Sequence, residues 1–183
     1  MTDGLAQIHQ ACWQALADAA RQKDHAWRLM ALATVHGDAA DLRTVVLREV
    51  DASRQTLVFF TDARSPKVGQ IQTHPLATLM VWSAGLAWQL RLRVLLTVQT
   101  SGPAVAARWA RIKQSPAALD YLSPLAPGAP LPAGRPGPTT PLAAAQFAVV
   151  TATVQSIDWL ALSADGHRRA SFDAEGRGTW LTP

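Results

Sequence analysis

The stretch from residue 87 to residue 100 reads AWQLRLRVLLTVQT, and it decides the fold class. Apolar and polar side chains alternate through its first half, with Trp88, Leu90, Leu92 and Val94 on one side and Gln89, Arg91 and Arg93 on the other. Successive side chains of a β-strand point to opposite faces. A period of two over this length therefore predicts a long strand with one buried face and one polar face.

Further β-type segments occur on both sides of this strand. They lie at 27–35, 42–50, 56–61, 77–82 and 147–159, with two short ones after turns at 164–166 and 175–176. The turn signal His36-Gly37-Asp38 predicts that the first two segments form a hairpin with a loop of about five residues. About seven closely spaced strands predict a closed or partly closed barrel.

Three helices are predicted beside the strands. The first is an amphipathic helix lying on the sheet, indicated by apolar residues at spacings of three and four, namely Leu5, Ile8, Cys12 and Leu16. A short helix is expected at 65–73. It ends before His74-Pro75, because the residue before a proline is disfavoured in helical conformation. The third begins at Gly102-Pro103 and runs to about Lys113. The predicted fold class is therefore mainly β with flanking helices, an α+β protein.

The whole chain, 1–183, is predicted to form a single domain. A segment rich in proline and glycine interrupts it at about 123–141 and holds seven of the twelve prolines. Only 42 residues follow Pro141, which is too few for an independent domain without disulfides or a metal. We therefore interpret the segment as a long excursion within one domain rather than a linker between two.

Composition narrows the functional classes. Apolar residues make up 49% of the chain and charged residues 16%, so a wholly disordered protein is excluded. No apolar run approaches the roughly 20 residues needed to span a bilayer. The single cysteine, Cys12, allows no internal disulfide and no metal site of the Cys-pair type, and it fits a cytoplasmic protein. The net charge is +4, but the basic residues are scattered, so nucleic-acid binding is not favoured.

The clearest chemical signal lies where the segment ending at Thr61 leads into the short helix. Ser65 stands at the predicted start of that helix and Lys67 follows within its first turn. Free backbone donors and the positive end of the helix dipole coincide there, so a phosphate group is a natural ligand. The alternative is an ordinary serine N-cap with Lys67 in solvent. The common hydrolase, zinc-protease, P-loop and dinucleotide motifs are absent.

Several stretches, taken in order, resemble the FMN-binding family of pyridoxamine 5′-phosphate oxidase. They are RTVVLR (43–48), FFTDARSPK (59–67), HPLATLMVW (74–82), WQLRLR (88–93) and DWLALSADGHRRASF (158–172). The resemblance runs from about Trp27 to Leu181, which is most of the chain. It implies a split β-barrel homodimer with FMN bound at the subunit interface.

Site residues follow from the resemblance by position. Arg43 and Lys67 would hold the FMN phosphate with help from Ser65, and Arg48 and His167 would orient a substrate. Gln89 would reach the isoalloxazine ring from the neighbouring subunit. The remaining implied cofactor contacts are Thr44, Val45, Val46, Phe60, Thr61, Trp159 and Arg169. No metal is implied.

Other positions depart from the family pattern. Pro66 replaces an arginine of the phosphate site, and Arg48 replaces the lysine that faces cofactor and substrate. Asp165 stands where an arginine would contact the substrate. The residues that grip the substrate phosphate are expected near 109–117, where this chain has Trp109, Lys113 and Ala117.

The sequence therefore predicts an FMN-binding oxidoreductase that acts on a small substrate, with the flavin carrying the redox chemistry. One alternative is a flavin-binding sensor or carrier without turnover. A second alternative is a true pyridoxamine or pyridoxine 5′-phosphate oxidase, which the departures at the substrate positions disfavour.

Overall fold

The structure, a computed structural model, describes residues 3–131 and 145–183. Three α-helices and nine β-strands occur in these ranges, where about seven strands were predicted. The helices are α1 (Asp3–Arg21), α2 (Pro66–Thr73) and α3 (Pro103–Ile112). The strands are β1 (Leu29–His36), β2 (Ala39–Val46), β3 (Glu49–Asp51), β4 (Thr56–Asp62), β5 (Leu76–Ser83), β6 (Trp88–Gln99), β7 (Phe147–Ala161), β8 (Arg168–Phe172) and β9 (Gly178–Leu181).

The strands form one antiparallel sheet with β6 near its middle. The order is β2-β1-β5-β6-β7-β4-β3, and within the described residues its two ends do not pair, so the sheet is not closed. One edge of β7 pairs with β6 along most of its length, while the other edge pairs first with β4 and then with β8. The predicted class of a mainly β protein with flanking helices and a partly closed barrel is confirmed.

Two predicted boundaries were wrong. The β1–β2 hairpin closes through only two residues, Gly37 and Asp38, because His36 pairs directly with Ala39. Gly37 has a φ of +59°, a conformation that glycine adopts without a Cβ clash. The segment predicted as one strand at 42–50 is split, since the Leu47 amide bonds to the Arg28 carbonyl whereas the Arg48 amide bonds to that of Val58. The chain therefore passes from one part of the sheet to another at Arg48.

The strand β6 divides its side chains as its alternation predicted. Leu90, Leu92 and Val94 are fully buried in the main core, which α1 covers with Cys12 and Leu16. Burial raises the pKa of the Cys12 thiol to about 12, so this cysteine carries no reactive thiolate.

The opposite side of β1, β2, β5 and β6, here called the outer face, carries exposed side chains, most of them on the central strands β5 and β6. They are Leu42, Leu76, Trp82, Leu95, Arg91 and Arg93. Apolar side chains on central strands of a sheet are normally covered by another layer. In the described ranges no helix covers this face.

Only part of the proline-rich excursion predicted at 123–141 can be described, because residues 132–144 lie outside the described ranges. It follows a short 3-10 helix at Pro116–Tyr121. Its first residues are held at the end of β4, where Arg64 donates from Nη2 to the Ser123 carbonyl over 2.8 Å.

Among the described helices, none is long and apolar enough to cross a membrane.

Candidate functional site

The start of α2 forms a hydrogen-bonded polar cluster, here called the seat, from Thr61, Ser65 and Lys67. Ser65 occupies the N-cap position, but its side chain makes no capping hydrogen bond. Its hydroxyl instead accepts from Lys67 Nζ over 2.6 Å, and the Thr61 hydroxyl accepts from the same nitrogen over 3.0 Å. Ser65 is only 5% exposed. The arrangement is therefore neither an ordinary serine cap nor a lysine free in solvent.

The first helical residue, Pro66, explains why the seat depends on side chains. Proline is favoured at this position because its ring fixes a helical φ, but it has no N–H to offer a ligand. The donors at the seat are therefore mainly the Lys67 ammonium and the two hydroxyls.

Arg43 lies beside the seat in a network that joins α2 to the β1–β2 hairpin. Its Nη2 donates to the Gln70 Oε1 over 2.9 Å and forms an ion pair with Asp41, and its Nη1 donates to Thr34. The Gln70 side chain in turn donates to Asp41 over 2.8 Å. Both terminal nitrogens of Arg43 are thus already engaged within the protein, so this arginine contributes fixed position and charge more than free donors.

The electrostatics of the seat favour an anion. The pKa of Lys67 is lowered, first by burial and then by the positive charge of Arg43, while Asp62 and Asp41 partly oppose this. Hydrogen bonds from Gln70 and the Arg43 charge hold the pKa of Asp41 below its usual range. Within the described ranges no carboxylate forms an ion pair with Lys67. A bound phosphate would supply the missing counter-charge and accept from both hydroxyls.

A second cationic pocket lies where the chain crosses at Arg48. A cavity of about 190 Å³ is lined by Arg48, Glu49, Phe60, Arg108, Arg111 and Ile112. The Arg48 guanidinium carbon is 5.9 Å from the centroid of the Phe60 ring. Arg108 is neutralised by Glu49, with Nη2 to Oε2 at 2.6 Å. In the described part of the chain no carboxylate pairs with Arg48 or Arg111, so this cavity, here called the arginine pocket, is net positive.

The arginine pocket is not lined by Trp109, Lys113 or Ala117, the residues this chain has at the expected substrate-phosphate positions. Trp109 packs in a second core cluster, with its ring centroid 5.5 Å from that of Phe147. The cations that face Arg48 are Arg108 and Arg111, and neither Lys113 nor Ala117 lines this cavity. The reason is helical geometry, because residues three apart share a face of α3 and Trp109 lies on the adjacent, buried face.

Gln89 and Arg169 lie in another part of the molecule. Both pair with Leu160, from β6 and β8 respectively, so their side chains share one face of the sheet. Arg169 donates to Asp158 over 2.7 Å, and Arg91 pairs with the same carboxylate. In the ranges described, no hydrogen bond or ion pair links Gln89 or Arg169 with Thr61, Ser65 or Lys67 of the seat. The predicted cofactor contacts therefore fall into two separate groups within one chain.

Trp159 and His167 join neither group directly. Trp159 is 2% exposed on the opposite face from Gln89, packed between Trp88 and Trp180. It lines an open cavity of about 550 Å³ together with Trp88, Asp165 and His167. The His167 Nδ1 accepts from the Ser163 amide over 3.3 Å, which orients the ring. Asp165 is exposed at the same turn.

The segment at 44–46 contributes backbone more than side chains. Thr44 is exposed on β2, Val45 is buried and Val46 is half-buried at the end of that strand. Their paired partners are Ala31, Met30 and Leu29 of β1. Their role as a wall beside the cofactor stays a prediction, and no side chain among the three offers a charge.

Sequence reasoning missed Gln70, Arg108 and Arg111. Gln70 is buried one helical turn after Lys67, and this spacing of three is a signal that could have been found. The roles of Arg108 and Arg111 depend on where α3 packs, for which the sequence carries no local signal.

This chain is similar to a known protein family and to several solved structures. A family model described as pyridoxamine 5′-phosphate oxidase, FMN-binding domain, matches residues 10–100, about half of the chain. No match was found among the curated proteins. A pyridoxamine 5′-phosphate oxidase-related, FMN binding protein from Nostoc punctiforme PCC 73102 is 26% identical with a TM-score of 0.75, over 95% of this chain and 96% of that one.

Two more distant structures share the fold alone. PhzG from Burkholderia lata 383, in complex with tetrahydrophenazine-1-carboxylic acid, is 19% identical with a TM-score of 0.72, over 95% of this chain and 90% of that one. A heme binding protein from Mycobacterium smegmatis is 18% identical with a TM-score of 0.54, over 88% of this chain and 59% of that one. From the family match, the Nostoc relative and the split antiparallel sheet together, we conclude that this chain belongs to the FMN-binding family of pyridoxamine 5′-phosphate oxidase.

Proposed function

We propose that this protein binds FMN through the seat and is an oxidoreductase acting on a small anionic substrate. The observation that carries the proposal is the half-buried Lys67 ammonium, which has two hydroxyl partners and no paired carboxylate among the described residues. In a chain of an FMN-binding family, the phosphate of FMN is the anion that fits this donor set.

The residues present fit the phosphate group. Lys67 supplies a net positive charge, Thr61 and Ser65 supply hydroxyl donors, and the Arg43–Asp41 pair beside them is held in place by Gln70. Phosphate binding in proteins normally uses such a combination of cation and neutral donors. The two hydroxyl oxygens accept from Lys67, so their own protons can donate to a phosphate in place of the donor missing at Pro66.

The arginine pocket supports the substrate class. Arg48 and Arg111 carry two charges without paired carboxylates in the described ranges, and Phe60 offers an apolar wall beside them. A carboxylate or phosphate on the substrate would accept from these forks, which fixes its orientation. When bound, FMN supplies the hydride chemistry, so no protein nucleophile is needed and the buried Cys12 takes no part.

The two separate groups of cofactor contacts support a homodimer. Gln89 and Arg169 form no hydrogen bond or ion pair with the seat of their own chain in the described ranges, and a second copy would bring both groups to one cofactor, as the family resemblance implies. The exposed apolar side chains of the outer face, among them Leu42 and Leu76, are suited to be buried by that copy. We therefore place the cofactor at a subunit interface.

The experiment that tests the function has two stages. Purified protein is denatured, and the released ligand is identified by mass spectrometry, with FMN expected. Protein reduced with dithionite and protein mixed with candidate anionic donors are then followed by flavin absorbance, against a control without substrate. Turnover above the control supports the oxidoreductase. Stoichiometric FMN without turnover for any donor would instead support the sensor or carrier alternative.

FMN affinity is expected to fall at alkaline pH because of Lys67. The charged ammonium favours the phosphate, and its pKa in the free protein is already lowered. Affinity should therefore be constant while Lys67 is protonated and fall as the pH rises through this lowered pKa. The loss is about tenfold for each unit by which bound phosphate raises the pKa.

The measurement is the ratio of FMN to riboflavin affinity between neutral and alkaline pH. Titration of the flavin ring is common to both ligands and cancels in this ratio. A Lys67→Arg variant should hold the ratio constant over the same range, since arginine stays charged. A wild-type ratio that does not change with pH would show that Lys67 does not bind the phosphate.

Pyridoxine 5′-phosphate is expected to be a poor substrate because of Asp165. This carboxylate lies beside His167 on the open cavity, and a negative charge near a substrate phosphate costs on the order of 1 kcal/mol. Asp165→Arg should raise the affinity for the ester about tenfold, with little change for pyridoxine. Asp24→Arg, at an exposed turn, makes the same charge change elsewhere. Wild-type turnover of about 1 per second or faster would favour the true oxidase.

A further inference from the structure

A buried carboxylate lies directly beside the seat. Asp62 follows Thr61 at the end of β4 and is only 4% exposed. Its Oδ1 accepts from the Arg64 amide over 2.7 Å and from Arg64 Nε over 3.1 Å, and its Oδ2 accepts from Arg64 Nη2 over 2.7 Å. Arg64 thus neutralises Asp62 with a bidentate fork and also shapes the turn that leads to Ser65.

The terminal nitrogens of Arg64 also bond to backbone carbonyls after the 3-10 helix. Nη2 also donates to the Ser123 carbonyl over 2.8 Å, and Nη1 donates to the Pro124 carbonyl over 3.3 Å. The guanidinium is therefore committed to protein acceptors on both sides. Although Arg64 is next to the seat in sequence, it has no free nitrogen aimed at a phosphate.

The net charge of the seat depends on the ion pair between Asp62 and Arg64. Arg43 is balanced by Asp41 and Asp62 by Arg64, which leaves the Lys67 charge in excess. Without Arg64, the buried Asp62 would cancel that excess and oppose a phosphate dianion nearby. Because the site is partly buried, solvent screens this repulsion less than it would at the surface.

We propose that Arg64 is a positioning residue for FMN, one that masks the charge of Asp62 beside Lys67. This inference rests on the proposed function, because it concerns the phosphate of the same cofactor. It assigns to Arg64 an electrostatic effect on the phosphate that does not require contact with it.

The test is a double-mutant cycle with the apoprotein, titrated with FMN and with riboflavin and followed by flavin fluorescence. Arg64→Ala should weaken FMN about tenfold and change riboflavin little. Asp62→Asn should tighten FMN several-fold, because the Arg64 charge is then uncompensated. The double variant should bind FMN within about threefold of wild type, since both charges are gone. Thermal unfolding of each apoprotein shows whether it is folded.

The outcomes separate the possibilities. A double variant as weak as Arg64→Ala would mean that Arg64 contacts the phosphate or acts only on the fold, and would overturn the inference. Equal losses for FMN and riboflavin would overturn it as well. If Arg64→Ala does not fold, Asp62→Asn still decides, because unchanged or weaker FMN binding contradicts the masking role. Wild-type protein without FMN affinity would instead refute the proposed function itself.

Discussion

Replacing Lys67 by alanine is expected to weaken FMN binding about tenfold to a hundredfold and to leave riboflavin binding nearly unchanged. Lys67 is the charged donor of the seat, and hydrogen bonds to charged groups contribute about 1.5–3 kcal/mol each. Riboflavin lacks the phosphate and therefore does not use this contact. Isothermal titration of the apoprotein with both flavins measures the two affinities.

The control for this substitution is Lys23→Ala, which removes the same charge at an exposed turn. It should change neither affinity by more than about twofold, because solvent and salt screen a distant surface charge. A parallel loss of FMN and riboflavin affinity in Lys67→Ala would contradict a phosphate role for the seat. Equal effects of the two lysine variants would contradict it too.

Lys67 is a cleaner probe of the seat than Arg43. Truncating Arg43 would remove its hydrogen bonds to Gln70 and Thr34, which are both buried, and hydrogen bonds to a charged group contribute about 1.5–3 kcal/mol each. We therefore expect Arg43→Ala to lower the free energy of unfolding as well as FMN affinity. A lower FMN affinity of Arg43→Ala would therefore not show by itself whether phosphate binding or folding had changed.

Replacing Leu76 by aspartate is expected to convert a dimer into monomers and to release flavin. Leu76 is 66% exposed on the outer face next to Leu95 of β6, so a charge there would be buried if a second copy covers the face. An unpaired charge in an interface costs several kcal/mol. Light scattering should give about twice 19.6 kDa for the wild type and about half of that for the variant.

The matched control is Leu119→Asp, because Leu119 is 64% exposed but lies in the 3-10 helix away from the outer face. It should leave both mass and FMN content unchanged. A wild-type monomer with full FMN affinity would refute the shared site. A Leu76→Asp variant that stayed dimeric with its flavin bound would refute a shared site formed through the outer face.

The seat could be predicted from the sequence because its parts are close along the chain. Thr61, Ser65 and Lys67 lie within seven residues, and the helix start between them is signalled by Pro66. A strand end followed by a helix start can place such side chains together with few other choices. The pairing of Asp62 with Arg64 is equally local, yet its importance appears only once Asp62 is known to be buried.

The arginine pocket could not be predicted in the same way. Arg48 and Arg111 are far apart in sequence, and they meet because the chain crosses the sheet at Arg48 while α3 packs by its Val105 and Trp109 face. The period of a helix indicates which residues share a face but not which strand that face meets. The family pattern therefore indicates Lys113 as a residue near the substrate phosphate, whereas the packing of α3 brings Arg111 to the cavity.

The sequence by itself determined the class of the fold and the grouping of Thr61, Ser65 and Lys67, since alternation along 87–100 and the local turn at 61–67 follow from backbone geometry. The tertiary structure alone decided that Gln89 lies away from the seat and that Trp159 faces the opposite side. Those placements depend on the pairing of β6 with β7 and β8, in which residues far apart along the chain become neighbours. Side-chain alternation shows only which residues share a face within one strand, so the layout of the whole site required the assembled sheet.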